Sequence, residues 1–334
     1  MAKMYVDNDG DISFLRDKVV AVLGYGNQGQ AWAHNLRDSN VDVVVGNIRD
    51  ASFDQAIKDG FDASDIGEAA AKADIQLLLM PDEVMPRIFR EEIEPVLKSG
   101  QLLVVASGYN VTYGFLTSPT NVDLVMIAPR MIGTGVRRGY LAGSGFPSLI
   151  AVHHNASGRA QQVMLALCKA VGTLKQGAVE SSCDEETLCD LFNEHFGYVY
   201  SLRRAYELLV EAGASPEAAM LEFWASGEEM ELARVHMTHG IFHQLKLHSQ
   251  TSHYGQEVTS RLSDEEEEAE RRRLRRIIAR IKDGTFARDW SLEQLAGYPV
   301  WKRVQAENMA HPLIAEEERL LKKLGLLERD GHGD

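Results

Sequence analysis

The stretch KVVAVLGYGNQGQAWAHNL, Lys18–Leu36, decides the fold. A β-branched run breaks into glycines and then takes up a helical pattern, which reads as strand, tight turn, helix. Gly24, Gly26 and Gly29 fit G-x-G-x-x-G. The first glycine serves the turn, the second lets the backbone approach a pyrophosphate, and the third lets the helix pack on the strand. The helix N-terminus then offers unpaired N–H groups to phosphates. A bare glycine pattern says little. Its place between strand and helix, with another apolar run (Val41–Val45) at βαβ spacing, gives it weight.

Further along, Ile75–Met80, Leu102–Ala106, Leu124–Ala128 and Leu149–Val152 are short apolar runs without alternation. Strands buried on both faces look like this. They predict an α/β domain over residues 1–180, a Rossmann-type doubly wound sheet. Ligands of such sheets lie beyond the carboxyl ends of the strands. Candidate cofactor-binding residues are therefore Gly24, Tyr25, Gly26, Asn27, Gln28 and Gly29 in the glycine turn, Arg49 and Ser52 after the second strand, Pro81 and Asp82 after the third, and Gly133 after the fifth. Asp82 also reads as a helix cap, and Trp32, just inside the first helix, as packing. The loop Asn47–Asp54 carries opposed signals. Arg49 and Ser52 suit a 2′-phosphate, whereas Asp50 and Asp54 suit a free ribose hydroxyl. The balance leans to NADPH, with NADH as the alternative.

After about Glu180 strand signals stop and amphipathic patterns take over: Glu185–Leu209, Pro216–Leu247, Asp264–Lys282 and Leu313–Leu326. They predict an all-helical domain over residues 181–327 and a tail over 328–334. Asp190 and Glu194, spaced i,i+4, share one helix face, and a pair of hard oxygen donors suits Mg²⁺. An isolated pair of this kind more often faces solvent. His236, His239 and His243 fall at i, i+3, i+7, a pattern more in keeping with surface than with a metal centre.

The chain has 334 residues, with 35 Lys plus Arg against 49 Asp plus Glu, a net charge of −14. Such a chain repels phosphate backbones and anionic lipid surfaces, so neither nucleic acid nor membrane is an expected partner. The basic run Arg271–Arg276 follows the acidic run Asp264–Glu270, and i,i+4 pairs such as Glu267 with Arg271 make it a solvated helix face. No apolar run approaches the roughly 20 residues of a membrane span. The N-terminus lacks a secretory pattern, and Cys168, Cys183 and Cys189 form no CxxC pair, so a cytoplasmic protein is expected.

A resemblance covers the chain from about Phe14 to Leu326. VLGYGNQGQAWAHNLRDS, SGYNVTYG, DLVMIAPRMIGTGVRRGYLAGSGFPSLIAV, CDEETLCDLFNEHFGY, HSQTSHYGQ, DGTFARDW and AENMAHPL follow the order and spacing of ketol-acid reductoisomerase. The chain is similar to the shorter form of that family. The resemblance implies a Rossmann domain followed by a knotted helical domain, two Mg²⁺ ions, NADPH, a small oxo-acid substrate and a homodimer or larger homo-oligomer. It implies an alkyl shift from C2 to C3 of a 2-hydroxy-2-alkyl-3-oxo acid, followed by hydride transfer to the new ketone. Asp190 and Glu194 match the family's first metal pair, Glu222 opens the second, and Ser249 matches the serine at the substrate carboxylate.

Departures fall on the same sites. Ser107 stands where the family has His, Arg130 where it has Lys, and Ser226 where it has the second Glu of the second pair. Counted back from Gly240, Glu228 takes that ligand position, with Glu229 beside it. His195 replaces an amide, and Met131-Ile132 replaces a small turn. Arginine keeps the charge but does not titrate. The catalytic residues expected are Ser107, Arg130, Asp190, Glu194 and Ser249. The sequence favours a diverged reductase of this type with altered or lost migration, acting on a 2-oxo acid, hydroxy-oxo acid or imine. A Mg²⁺-dependent enzyme acting on acetolactate comes second, and a cofactor-binding protein without catalysis last.

Overall fold

A computed structural model describes residues 2–326, so Leu327 and the expected tail from 328 lie outside the described residues. The chain forms two compact units, Met1–Leu191 and Phe192–Asp334. The division falls inside one helix, beyond the expected boundary at 180, because the first turns of that helix bond into the first unit.

The first unit is built on nine strands: β1 (Met4–Tyr5), β2 (Val19–Leu23), β3 (Asp42–Gly46), β4 (Asp62–Ser64), β5 (Ile75–Leu78), β6 (Leu102–Val105), β7 (Asp123–Pro129), β8 (Ser148–His154) and β9 (Ala178–Glu180). Their order across the sheet is β1-β9-β8-β7-β6-β5-β2-β3-β4. The six strands β2 to β7 pair in parallel, whereas β8 runs antiparallel to β7 and β1 antiparallel to β9. The sheet is thus mixed. An apolar run alone carries no direction, so the sequence did not distinguish β8 from its parallel neighbours. β1, β4 and β9 are two or three residues long and exist through pairing.

Successive residues of β2 feed opposite faces, as a two-residue period requires. Val20 and Val22 join one buried cluster with Trp32 and Leu36, while Ala21 and Leu23 join the other with Phe89 and Ile93. Trp32 is fully buried, a packing residue. Around the sheet lie α1 (Asn27–Asp38), α2 (Ala51–Lys58), α3 (Ile66–Lys72), α4 (Met85–Ile88), α5 (Tyr109–Thr112), α6 (Gly133–Leu141) and α7 (Ala160–Val171), before α8 (Cys183–His195). Helix α2 starts inside the stretch expected to be loop. Asp50 caps it by accepting from Phe53 N at 3.0 Å.

The second unit has helices and no strand among its described residues: α9 (Tyr198–Glu211), α10 (Pro216–Met220), α11 (Glu228–His239), α12 (Gln250–Tyr254), α13 (Asp264–Lys282), α14 (Thr285–Leu295), α15 (Pro299–Met309) and α16 (Pro312–Leu324). Two expected helices are broken. Gly197, with φ +91°, ends the first pattern between α8 and α9, and Gly227 and Gly240, with φ +84° and +88°, divide Pro216–Leu247 into pieces. Left-handed backbone stops a helix, and glycine adopts it without the Cβ penalty. By contrast α13 occupies its expected span, started by a capping box of Ser263 and Glu266.

Candidate active site

Residues of the carboxyl ends of β2, β3, β5, β6 and β7 make the site of the first unit. Gly24 has φ +104°, and a Cβ on Gly29 would stand 1.8 Å from the Gly24 carbonyl oxygen. Both glycines are therefore dictated by the turn. Gly26 caps α1 without any side-chain bond to its N–H groups, and a Cβ there would meet nothing within 4 Å. An open, small-residue cradle at a helix N-terminus suits a pyrophosphate. Gln28 donates to the Met131 carbonyl at 2.8 Å, which ties the glycine turn to the loop after β7, and Gly133 opens α6 from that loop. Asn27 is the first residue of α1.

The loop after β3 is more constrained than its sequence suggests. Asn47 accepts from Tyr25 N at 2.9 Å and donates to Asp50 at 2.8 Å. Asp50 is engaged as a cap. Arg49 donates to Asp65 at 2.8 Å and lies over the Phe53 ring at 4.1 Å, while Ser52 sits in the first turn of α2. After β5, Pro81 accepts backbone bonds from Val84 and Met85. Asp82 does not cap α4, whose N-cap is Val84, but accepts from Asn110 Nδ2 at 2.9 Å.

At the ends of β6 and β7 the charges gather. Arg130 donates from one nitrogen to Glu186 at 2.6 Å and from the other to Asp190 at 2.8 Å. Glu186 also accepts from Gly108 N at 2.7 Å, and Thr187 bonds to Thr112 at 3.1 Å, so α8 is pinned over both strand ends. Burial lifts the Glu186 carboxyl above its ordinary range, against the Gly108 N–H and the Arg130 charge that hold it down. The Arg130 Nε–H is buried with no hydrogen-bond partner among the described residues. Ser107 is half-buried and accepts from Tyr109 N at 3.2 Å. Sequence reasoning missed Glu186. The signal was the acidic residue one turn before Asp190, passed over because it matched no assigned role.

Glu194 lies one turn beyond Asp190 on α8 and is exposed. In the second unit Glu222 sits on a wide turn, Leu221–Ala225, and Glu228 opens α11 after the break at Gly227. Ser226 accepts from Glu228 N at 3.3 Å. The wide turn and the break at Gly227 lie between Glu222 and Glu228, so no regular helical spacing relates the two. Ser249 caps α12, accepting from Ser252 N at 3.3 Å. His243 lies beyond the Gly240 break from His236 and His239, so the three histidines share no helix face. Burial and the nearby Arg280 hold the His195 ring below its ordinary pKa.

The glycine cradle fits a dinucleotide. For Mg²⁺ the carboxylates of α8 fit in kind, being hard oxygen donors. They do not suffice in number: among the described residues no three His, Cys, Asp or Glu converge as a metal site. No helix there is long and apolar enough to cross a membrane.

A family model described as acetohydroxy acid isomeroreductase, NADPH-binding domain, matches residues 14–177, and one described as ketol-acid reductoisomerase, C-terminal domain, matches residues 183–324. Relatives named ketol-acid reductoisomerase (NADP(+)) from Pyrobaculum arsenaticum and Methanopyrus kandleri are each 39% identical. The first covers 94% of the chain and 96% of its own length, the second 97% and 99%. A solved structure described as an NADH-preferring ketol-acid reductoisomerase from an uncultured archaeon is 33% identical, with TM-score 0.88, over 98% of this chain and all of that one.

Proposed function

Since the chain belongs to the ketol-acid reductoisomerase family and is an NAD(P)-dependent oxidoreductase, we propose that it converts acetolactate, or a close 2-hydroxy-2-alkyl-3-oxo acid, to the 2,3-dihydroxy acid with NADPH. The observation that carries this reading is the Arg130–Glu186–Asp190 cluster at the strand ends, tied to the glycine turn through Gln28. Asp190 and Glu194 would hold Mg²⁺ on this chain, with Glu222 and Glu228 supplied by a second copy. When bound, Mg²⁺ polarises the ketone as a Lewis acid.

This chain's own residues divide the remaining work. In the migration the C2 hydroxyl gives its proton to water and becomes the C2 ketone as the alkyl group moves with its electron pair to C3, and the C3 oxygen, left with the negative charge, takes a proton back from water. The guanidinium of Arg130 would stabilise that charge electrostatically, with no exchange of a proton. A nicotinamide dinucleotide, held at the turn of Gly24, Gly26 and Gly29, would supply the hydride that reduces the resulting C2 ketone. Ser249, which caps α12 in the second unit, is the residue the resemblance assigns to the substrate carboxylate. Arg49 and Ser52 support NADPH at the ribose end, with NADH accepted because Asp65 already draws on Arg49.

The sequence alone placed a diverged reductase with altered or lost migration first. Likeness across both units to relatives named ketol-acid reductoisomerase supports putting the isomerising reading ahead of it. The reductase reading survives on one observation, that an arginine, Arg130, is bonded to Asp190 at the position where the resemblance implies lysine. Acetolactate, Mg²⁺ and purified protein should oxidise NADPH, followed by loss of its absorbance. Turnover of 3-hydroxy-3-methyl-2-oxobutanoate but not of acetolactate would favour the reductase. Failure to bind either nicotinamide would sink both.

A further inference from the structure

Tyr25 lies between the two glycines of the turn, yet its side chain belongs to a different structure. The ring is buried, 3% exposed, and meets Phe61 edge-on at 5.7 Å. Its hydroxyl donates to Asp59 Oδ2 at 2.7 Å. Its backbone N–H donates to Asn47, which bonds Asp50, the cap of α2. One residue of the glycine turn therefore grips α2 at both ends, through Asn47 and Asp50 at the N-terminus and through Asp59 at the C-terminus.

Asp59 sits where a carboxylate is least expected. It is the C-cap of α2, facing the negative end of the helix dipole, and its side chain is only 17% exposed. What holds it is a ring of donors. Besides Tyr25, Gln55 Nε2 donates at 2.7 Å, Gln30 Nε2 lies at 3.4 Å and His34 Nε2 at 3.3 Å. Burial works against the charge and these bonds outweigh it, holding the carboxyl below its ordinary range. Arg37 closes the ring, donating to the Asp59 carbonyl at 2.6 Å, contacting His34 Nδ1 at 2.8 Å and lying over Phe61 at 4.3 Å. Gln30, His34 and Arg37 lie on one face of α1, the helix that the glycine turn begins. So many polar groups converging on one half-hidden carboxylate exceed what closing a helix end requires.

We propose that Asp59 is a positioning residue for the dinucleotide: its bond to Tyr25 fixes the Gly46–Asp50 loop against the glycine turn, and so sets the spacing between the ribose end and the pyrophosphate. The inference rests on the dinucleotide-binding reading of the first unit. Its consequence is selective. Loosening the bond should blur the site that reads the adenosine ribose while leaving the reacting end in place.

The test uses the full-length protein and the nicotinamide fluorescence of NADPH and NADH. Asp59→Ala should raise the dissociation constant for NADPH about tenfold, the loss expected for a hydrogen bond to a charged group. It should compress the ratio between NADPH and NADH affinities, and raise KM for the cofactor with kcat at saturating cofactor changed less than about twofold. Asp59→Asn keeps an acceptor for Tyr25 and should recover most of the affinity. Tyr25→Phe combined with Asp59→Ala should do no more than Asp59→Ala alone, because the bond that Tyr25→Phe removes is already lost with the carboxylate. A lowered melting temperature with unchanged NADPH affinity in Asp59→Ala would overturn the proposal and leave a merely structural network. If the wild-type protein bound neither nicotinamide, the dinucleotide reading would fall, and the strut with it.

Discussion

Arg130 shows how much one side chain decides. Its guanidinium spans Glu186, which is 1% exposed, and Asp190, which is 42% exposed, while Arg130 itself is 32% exposed. Removing it would strand the Glu186 charge in a place water does not reach. Arg130→Met should therefore lower stability by about 2–3 kcal/mol, less than the penalty for a wholly buried pair because Arg130 is partly open to solvent. Urea denaturation would measure it, and a loss below about 0.5 kcal/mol would mean that Glu186 is neutral or satisfied without Arg130. Ser107→His together with Arg130→Lys brings in the residues that the resemblance implies and should raise acetolactate turnover relative to 3-hydroxy-3-methyl-2-oxobutanoate. An unchanged ratio would show that these positions do not govern migration. At this scale the sequence singled out Ser107 and Arg130 as expected departures from the family, but not that Arg130 is shared between two carboxylates. That depends on α8 crossing the ends of strands far away in sequence.

Among elements, the glycine turn and α13 were legible because their signals are local. The glycine turn is fixed by contacts within six residues, so Gly29→Ala, whose Cβ would stand 1.8 Å from the Gly24 oxygen, should displace the turn. The expected result is at least a tenfold weaker dinucleotide affinity by fluorescence titration. Wild-type affinity in that variant would mean that the turn does not hold the pyrophosphate. Helix α13 carries its own start signal in Ser263 and Glu266, and its charges pair along its surface, Glu267 with Arg271 at 2.7 Å among them. The long patterns around Gly197, Gly227 and Gly240 were read through because a single glycine is tolerated in a helix. Only the left-handed backbone at these positions shows that each one ends a helix.

On the scale of the whole molecule the two units are unequal. The first buries two clusters on the faces of its sheet, whereas the second buries a cluster of five residues, Tyr206, Ala219, Met220, Ala225 and Leu320. Much of its apolar surface lies open, with Val199 73%, Met237 72%, Phe242 76% and Leu295 85% exposed. Monomers rarely expose this much, so a second copy is the expected cover. The protein should sediment at twice the chain mass of 37.1 kDa or a larger multiple of it, with a melting temperature that rises with protein concentration. A monomer at micromolar concentration would contradict this, and with it the supply of Glu222 and Glu228 by a partner.

The sequence by itself determined the α/β first unit, the helical second unit, the glycine turn and the family, because period, turn chemistry and motif order are written in neighbouring residues. Only the tertiary structure decided the antiparallel β8, the buried Glu186 under Arg130, the capping work of Asp50 and the strut from Tyr25 to Asp59. These are pairings between residues separated by tens of positions. Burial and hydrogen-bond partners are properties of the folded chain, and a carboxylate in a sequence looks the same whether it will face water, cap a helix or hold a guanidinium.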